Sequence, residues 1–146
     1  MDALNLSTAE NAQGRINVSA ALGSSGYAMF IYDIEPGGTS SPYHYEYDEE
    51  WLLVVSGEIV VRTPEGEQTL GQGDLVCFPP GPSGAHKVMN RSGAPARTLL
   101  FSSARTPAVS VYPDSGKVGV WAGDPDDLVF KRESAVPWSE GEPEFQ

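Results

Sequence analysis

Between Tyr27 and Ala104 the chain never stays regular for long. Short runs rich in β-branched, aromatic and aliphatic residues follow one another: "YAMFIYDIEP", "EEWLLVVSG", "EIVVRTP", "DLVCFPP", "HKVMN" and "RTLLFSSA". Turn signals such as "PGG", "PEGE", "GQGD" and "RSGAP" divide them. No segment in this stretch carries a sustained helical period. Even short strands with frequent turns predict an all-β sandwich or barrel. "RTPEGEQTL" reads as a hairpin with Pro64 to Glu67 at its tip.

The two ends read differently. Residues 1–14 are polar and weakly patterned, an arm expected to dock only loosely. The stretch after Arg105 is rich in Pro and Gly, yet it keeps Val109, Val111, Tyr112, Val118, Val120, Trp121, Val129, Phe130 and Trp138. Disordered tails are poor in such residues, so an ordered extension is expected, with "LVFKRE" as a last strand. The 146 residues suffice for one domain with a real core.

A net charge of −11 argues against nucleic acid or an anionic membrane as partner, since both demand a basic patch. No long apolar segment and no signal peptide is visible. The single cysteine, Cys77, excludes an intrachain disulfide and fits a reducing cytoplasm. Inside the strand-like "DLVCFP" it reads as a buried structural thiol; no basic neighbour marks it as a nucleophile.

The stretch "SPYHYEYDEEW", Ser41 to Trp51, sets the chemical question. As an extended strand it puts His44, Glu46, Asp48 and Glu50 on one side and Tyr43, Tyr45 and Tyr47 on the other. Three like charges on one face weaken a sheet unless that face is wet or holds something positive. The chain has two histidines, His44 and His86. Histidines and carboxylates at strand starts in an all-β chain make a plausible divalent-metal site. Either histidine alone reads better as a satisfied polar group; the pair in its surroundings is what points to a metal.

These segments resemble the two motifs of the cupin superfamily. Gly38, five residues, His44-Tyr45-Glu46, three residues, Glu50, six residues and Gly57 follow the first motif, with Glu46 where a second His is usual. Gly73, "DLVCF", Pro79-Pro80-Gly81, His86, three residues and Asn90 follow the second, with four residues between Gly81 and His86 where the family has two. The resemblance covers about residues 28–104, and the "YPDSGKVGV" tail looks like that of small uncharacterised cupins. It implies a jelly-roll barrel over residues 15–105, with residues 106–146 packed on it. It also implies one divalent transition ion held by His44, Glu46, Glu50 and His86. Two imidazoles and two carboxylates balance such an ion in formal charge, and this donor set suits Mn, Fe, Ni or Zn. If Glu46 is not a ligand, it is the candidate general base. Asp48 is left unassigned.

Elsewhere, the three tyrosines read as packing, and "DSGK" with Lys117 as a plain turn. Arg62 and Arg97, inside strands, either meet an anionic substrate or face solvent. The resemblance implies a small-molecule substrate or ligand and a homodimer, with Val118, Val120 and Trp121 available to cover a partner's sheet edge. Three functions remain open: a metal-dependent enzyme (isomerase, dioxygenase or decarboxylase), a non-catalytic binding or sensing cupin, and a barrel with a structural ion.

Overall fold

The computed structural model describes residues 2–11 and 13–145. Its strands run β1 (Arg15–Asn17), β2 (Tyr27–Ile34), β3 (Tyr45–Glu46), β4 (Glu50–Ser56), β5 (Glu58–Thr63) and β6 (Gly66–Gly71). They continue with β7 (Leu75–Phe78), β8 (Lys87–Met89), β9 (Ala96–Ser103), β10 (Ala108–Tyr112), β11 (Lys117–Trp121) and β12 (Leu128–Lys131). They form antiparallel sheets in the orders β1-β2-β9-β4-β7, β6-β5-β8 and β12-β11-β10-β3. The expected all-β jelly-roll architecture is the observed one.

The main core lies between the first two sheets. Ile34, Leu52, Val54, Phe78 and Ala96 come from one side, and Ile59, Val61, Leu70 and Val88 from the other. The run "WLLVV" is apolar throughout because β4 is covered on both faces. Leu52 and Val54 enter the core, while Leu53 and Val55 pack in a second cluster outside it. That cluster includes Val18, Ile31 and Leu99 together with Leu4, Leu6 and Ala9 of the N-terminal arm.

The arm is therefore docked more firmly than its polar sequence predicts. Arg97 Nη1 donates to the Leu6 carbonyl at 3.1 Å, and Asn11 Nδ2 to Asp33 Oδ2 at 3.0 Å. A short helix, α1 (Val18–Leu22), follows β1. The Asn17 side chain accepts from the Ala20 N–H at its start, and Gly23 closes it in the left-handed conformation.

The hairpin of β5 and β6 is tighter than expected. Thr63 pairs with Gly66 and Arg62 with Glu67, which leaves only Pro64 and Glu65 at the tip. Gly57, between β4 and β5, has φ +80°, and a Cβ there would stand 2.8 Å from the Ala96 Cα and the Pro95 carbonyl oxygen. Only glycine fits.

Cys77 corrects an expectation: it is exposed, not buried. It lies on β7, an edge strand, whose alternation turns Phe78 into the core and Cys77 out. Partial desolvation and the Glu49 carboxylate raise its thiol pKa, the opposite of what a nucleophile needs.

The C-terminal stretch supplies three strands of the third sheet, and "LVFKRE" does open with β12. Val118 packs with Tyr43, Tyr45, Ala85 and Val111. β12 ends the sheet, with Leu128, Val129 and Phe130 exposed.

Candidate metal centre

His44 and His86 each stand just before a short strand, and they meet as an isolated antiparallel pair. His44 N donates to the His86 carbonyl at 3.1 Å, and His86 N to the His44 carbonyl at 2.8 Å. Directly opposed residues of an antiparallel pair point to the same face. The two imidazole centroids are accordingly 4.8 Å apart. His86 stacks on Phe78 at 3.7 Å, and His44 lies against Tyr112 at 5.8 Å.

Each ring is also turned by its own backbone. His44 Nδ1 is 3.0 Å from the Pro42 carbonyl oxygen, and His86 Nδ1 is 2.9 Å from that of Gly84. A carbonyl can only accept, so in both rings Nδ1 carries the hydrogen and Nε2 keeps its lone pair. Both Nε2 atoms are 3.8 Å from Glu50 Oε2. The donor atoms of His44, Glu50 and His86 all lie within 4.8 Å of one another.

The loop before His86 explains the departure from the expected spacing. The residues between Gly81 and His86 include a one-turn 3-10 helix, Pro82–Gly84. A Cβ on Gly84 would fall 1.7 Å from the Pro79 carbonyl oxygen, so glycine lets the loop close tightly enough to aim His86 inward. Asn90 secures the other end of β8. Its buried side chain donates to the Ile34 and Ala94 carbonyls and accepts from Ser92 N and Oγ.

The electrostatics do not fit an imidazolium–carboxylate pair. Such a pair would raise the histidine and lower the acid. Here burial drives His86 down to about 4, while burial, then Glu46 and Asp48, push Glu50 up to about 8. Among the described residues, His86 Nε2 is buried without a hydrogen-bond partner. Two aimed lone pairs, one carboxylate lacking a positive partner and one orphaned buried nitrogen together suit a divalent cation.

The centre opens on a cavity of about 430 Å³ whose wall includes His44, Glu46 and Glu50. Glu46 lines this cavity but stands outside the three-residue cluster. It lies opposite Ser110 where β3 pairs with β10, and Ser110 Oγ donates to Glu46 Oε1 at 2.7 Å. Trp121 Nε1 in turn donates to Ser110 Oγ at 2.9 Å. Ser110, Tyr112 and Trp121 belong to the C-terminal stretch and were not expected at the site; no local motif marks them.

Asp48 turns elsewhere. It accepts from Ser103 Oγ at 2.7 Å and pairs with Arg105 Nε at 2.9 Å. Strict alternation fails because the chain bends between β3 and β4. Tyr43 and Tyr45 are buried, as packing requires, while Tyr47 is exposed. Arg62 pairs with Asp114, and Arg97 with Asp33; neither lines the cavity.

Comparison with known proteins agrees with this architecture. The family model for the cupin domain matches residues 30–102, half of the chain. A sugar phosphate isomerase of the cupin superfamily from Silicibacter pomeroyi superposes with a TM-score of 0.75 at 27% identity, covering 87% of this chain and 82% of its own. A candidate sugar phosphate isomerase from Acidithiobacillus ferrooxidans gives 0.75 at 22%, covering 84% and 78%. The polyketide cyclase RemF of Streptomyces resistomycificus gives 0.60 at 16%, covering 74% and 83%. No curated protein matches. The two motifs, the antiparallel jelly roll and the matching domain model together establish that this chain belongs to the cupin family.

Proposed function

We propose that the protein is a metal-dependent enzyme that acts on a small polar molecule, by isomerase-type proton transfer on a sugar or sugar phosphate. One observation carries this reading. The His44 and His86 lone pairs converge with Glu50 at a cavity whose wall holds a further carboxylate, Glu46. The similarity to the Silicibacter pomeroyi isomerase supports the substrate class.

His44, Glu50 and His86 would hold one divalent ion, Mn, Fe, Ni or Zn, with Glu46 as general base rather than fourth ligand. The ion would supply Lewis acidity, polarising a carbonyl or hydroxyl of the substrate. Glu46 would take a proton from the hydroxyl-bearing carbon beside that carbonyl and return it to the carbonyl carbon, while the hydroxyl proton passes to the former carbonyl oxygen, so that the carbonyl and hydroxyl exchange places. The Ser110 bond to Oε1 orients Glu46 and leaves Oε2 for that transfer. The cavity's apolar residues, Phe30, Leu100 and Trp121 among them, would limit water at the reacting carbon.

A second reading rests on the same Ser110 contact. If Glu46 serves only to tie β3 to β10, the protein is a non-catalytic cupin that binds a small ligand at the metal. Glu46→Gln separates the two. Under the enzyme reading it spares metal content and lowers turnover in a sugar-phosphate screen by at least about a hundredfold. Loss of metal would make Glu46 a ligand, and unchanged turnover would remove it from the chemistry.

Two properties of the whole chain follow the same reading. The exposed edge strand β12 supports a homodimer through that edge. The excess of acidic residues and the lone Cys77 support a cytoplasmic protein without nucleic-acid or membrane partners. Among the described residues no helix is long and apolar enough to cross a membrane.

A further inference from the structure

Two arginines stand in the cavity wall, Arg15 and Arg105, and they are not equivalent. Arg105 is matched by Asp48 at 2.9 Å. Arg15 takes part in none of the ion pairs formed among the described residues. Acidic residues outnumber basic ones 20 to 9 in this chain, so carboxylate partners are plentiful. Arg15 is exposed at the cavity wall and keeps its charge open to a ligand there.

Its position is built by the sheet. Arg15 on β1 is the register partner of Tyr32 on β2, and Asn17 that of Phe30. Tyr32 and Phe30 alternate on β2 and both line the cavity, so Arg15 faces the same space. The Arg15 guanidinium lies 4.9 Å from the Phe30 ring centroid. That stacking uses none of the N–H donors; the Tyr32 hydroxyl accepts from one of them, and the rest of the planar fork stays available. Burial raises the Tyr32 phenol above its ordinary range; the Arg15 guanidinium, which hydrogen-bonds to that hydroxyl, opposes the rise, and the Glu50 and Glu46 carboxylates add to it.

The distances define what could use such a group. Arg15 lies in the row of Tyr32, Thr98 and Val54, so it is three strand spacings from Glu50 across the sheet and four residues from it along the strands, roughly 20 Å between backbones. Side chains reaching into the cavity from both ends shorten that gap to the length of a small extended molecule, longer than a bare ion. The hydroxyls of Ser40, Ser41 and Ser102 line the space between the apolar walls.

We propose that Arg15 is the substrate's anchor: it binds the oxyanion, a phosphate or a carboxylate, at the far end of a small polyhydroxylated molecule whose reacting end lies at His44, Glu50 and His86. The guanidinium fork matches the paired oxygens of either oxyanion, and the Tyr32 hydroxyl adds a donor beside it. The inference deepens the reading of this cavity as a substrate site and rests on it. It makes Arg15 the residue that selects acidic over neutral sugars.

The test is titration calorimetry on the full-length, metal-loaded protein with glucose 6-phosphate, gluconate and glucose as probes. Wild type is expected to bind one or both acidic probes at least about tenfold more tightly than glucose. Phosphate and carboxylate are told apart by which of the two it prefers. Arg15→Gln should abolish the preference at unchanged melting temperature and metal content, while Arg105→Gln keeps it. Arg15→Lys retains the charge but not the fork, so it should keep only part of the preference; it carries the test if Arg15→Gln does not fold. The proposal is overturned if wild type shows no preference, if Arg15→Gln keeps it, or if only Arg105→Gln loses it. Failure of the metal reading looks different: metal is absent from wild type while the Arg15-dependent preference persists.

Discussion

Ser110→Ala removes one oxygen and breaks two hydrogen bonds, to Glu46 and from Trp121. A hydrogen bond to a carboxylate contributes about 1.5–3 kcal/mol. Glu46 is half-buried, so water can replace part of the lost donor, which puts the loss near the lower figure. The Trp121 N–H, left without its acceptor, adds about 1 kcal/mol. The sum is about 2.5 kcal/mol, or a melting temperature lower by roughly 5–10 °C for a chain of this size. Thermal and urea melts followed by circular dichroism would measure it. A double-mutant cycle with Glu46→Ala should give a coupling of about 1.5 kcal/mol. Metal content should not change, because Ser110 touches none of the three converging donors. If the two substitutions are additive, or Ser110→Ala costs under about 0.5 kcal/mol, β10 does not hold Glu46 and the account of that carboxylate is wrong.

Gly84→Ala should destabilise by more than about 2 kcal/mol and weaken metal binding although every donor is intact, because its Cβ cannot coexist with the Pro79 carbonyl. An unchanged melting temperature and metal affinity would contradict that packing. Asp33 is held below the usual carboxylate range, mainly by its hydrogen bonds from Arg97 and secondarily by that from Asn11. A depressed acid stabilises above its unfolded pKa and loses that contribution as pH falls through its folded value. Asp33→Asn should therefore cost about 1 kcal/mol at pH 7, with the difference from wild type shrinking below about pH 4; a constant gap down to pH 2 would refute the assignment. Light scattering at micromolar concentration should give about twice the 15.6 kDa chain mass, and Phe130→Glu should halve it; a wild-type monomer would exclude the β12 interface.

What the sequence displays is what depends on local order. The alternation of "WLLVV" with turns marks the strands, and two spaced motifs mark His44, Glu50 and His86. The part of the site that stays hidden depends on distant pairing. Ser110 meets Glu46 across 64 residues, and nothing in "AVSVY" signals a site residue. Arg15 is equally silent, because its role comes from the neighbours that β2 gives it. Helix α1 has five residues, too few to show a period, so only Asn17 and Gly23 hint at it. Asp48 misleads because alternation assumes an unbroken strand, and the chain bends there. Cys77 misleads because an apolar context does not tell which face of an edge strand is covered.

The central claim is that His44, Glu50 and His86 form one metal site, and metal analysis tests it most directly. Protein purified without added metal, then titrated with Mn, Fe, Ni and Zn, should take up one divalent ion per chain. His86→Ala removes the orphaned nitrogen and should cut that content sharply while the fold persists. Equal and negligible metal in wild type and His86→Ala, after every titration, would contradict the account.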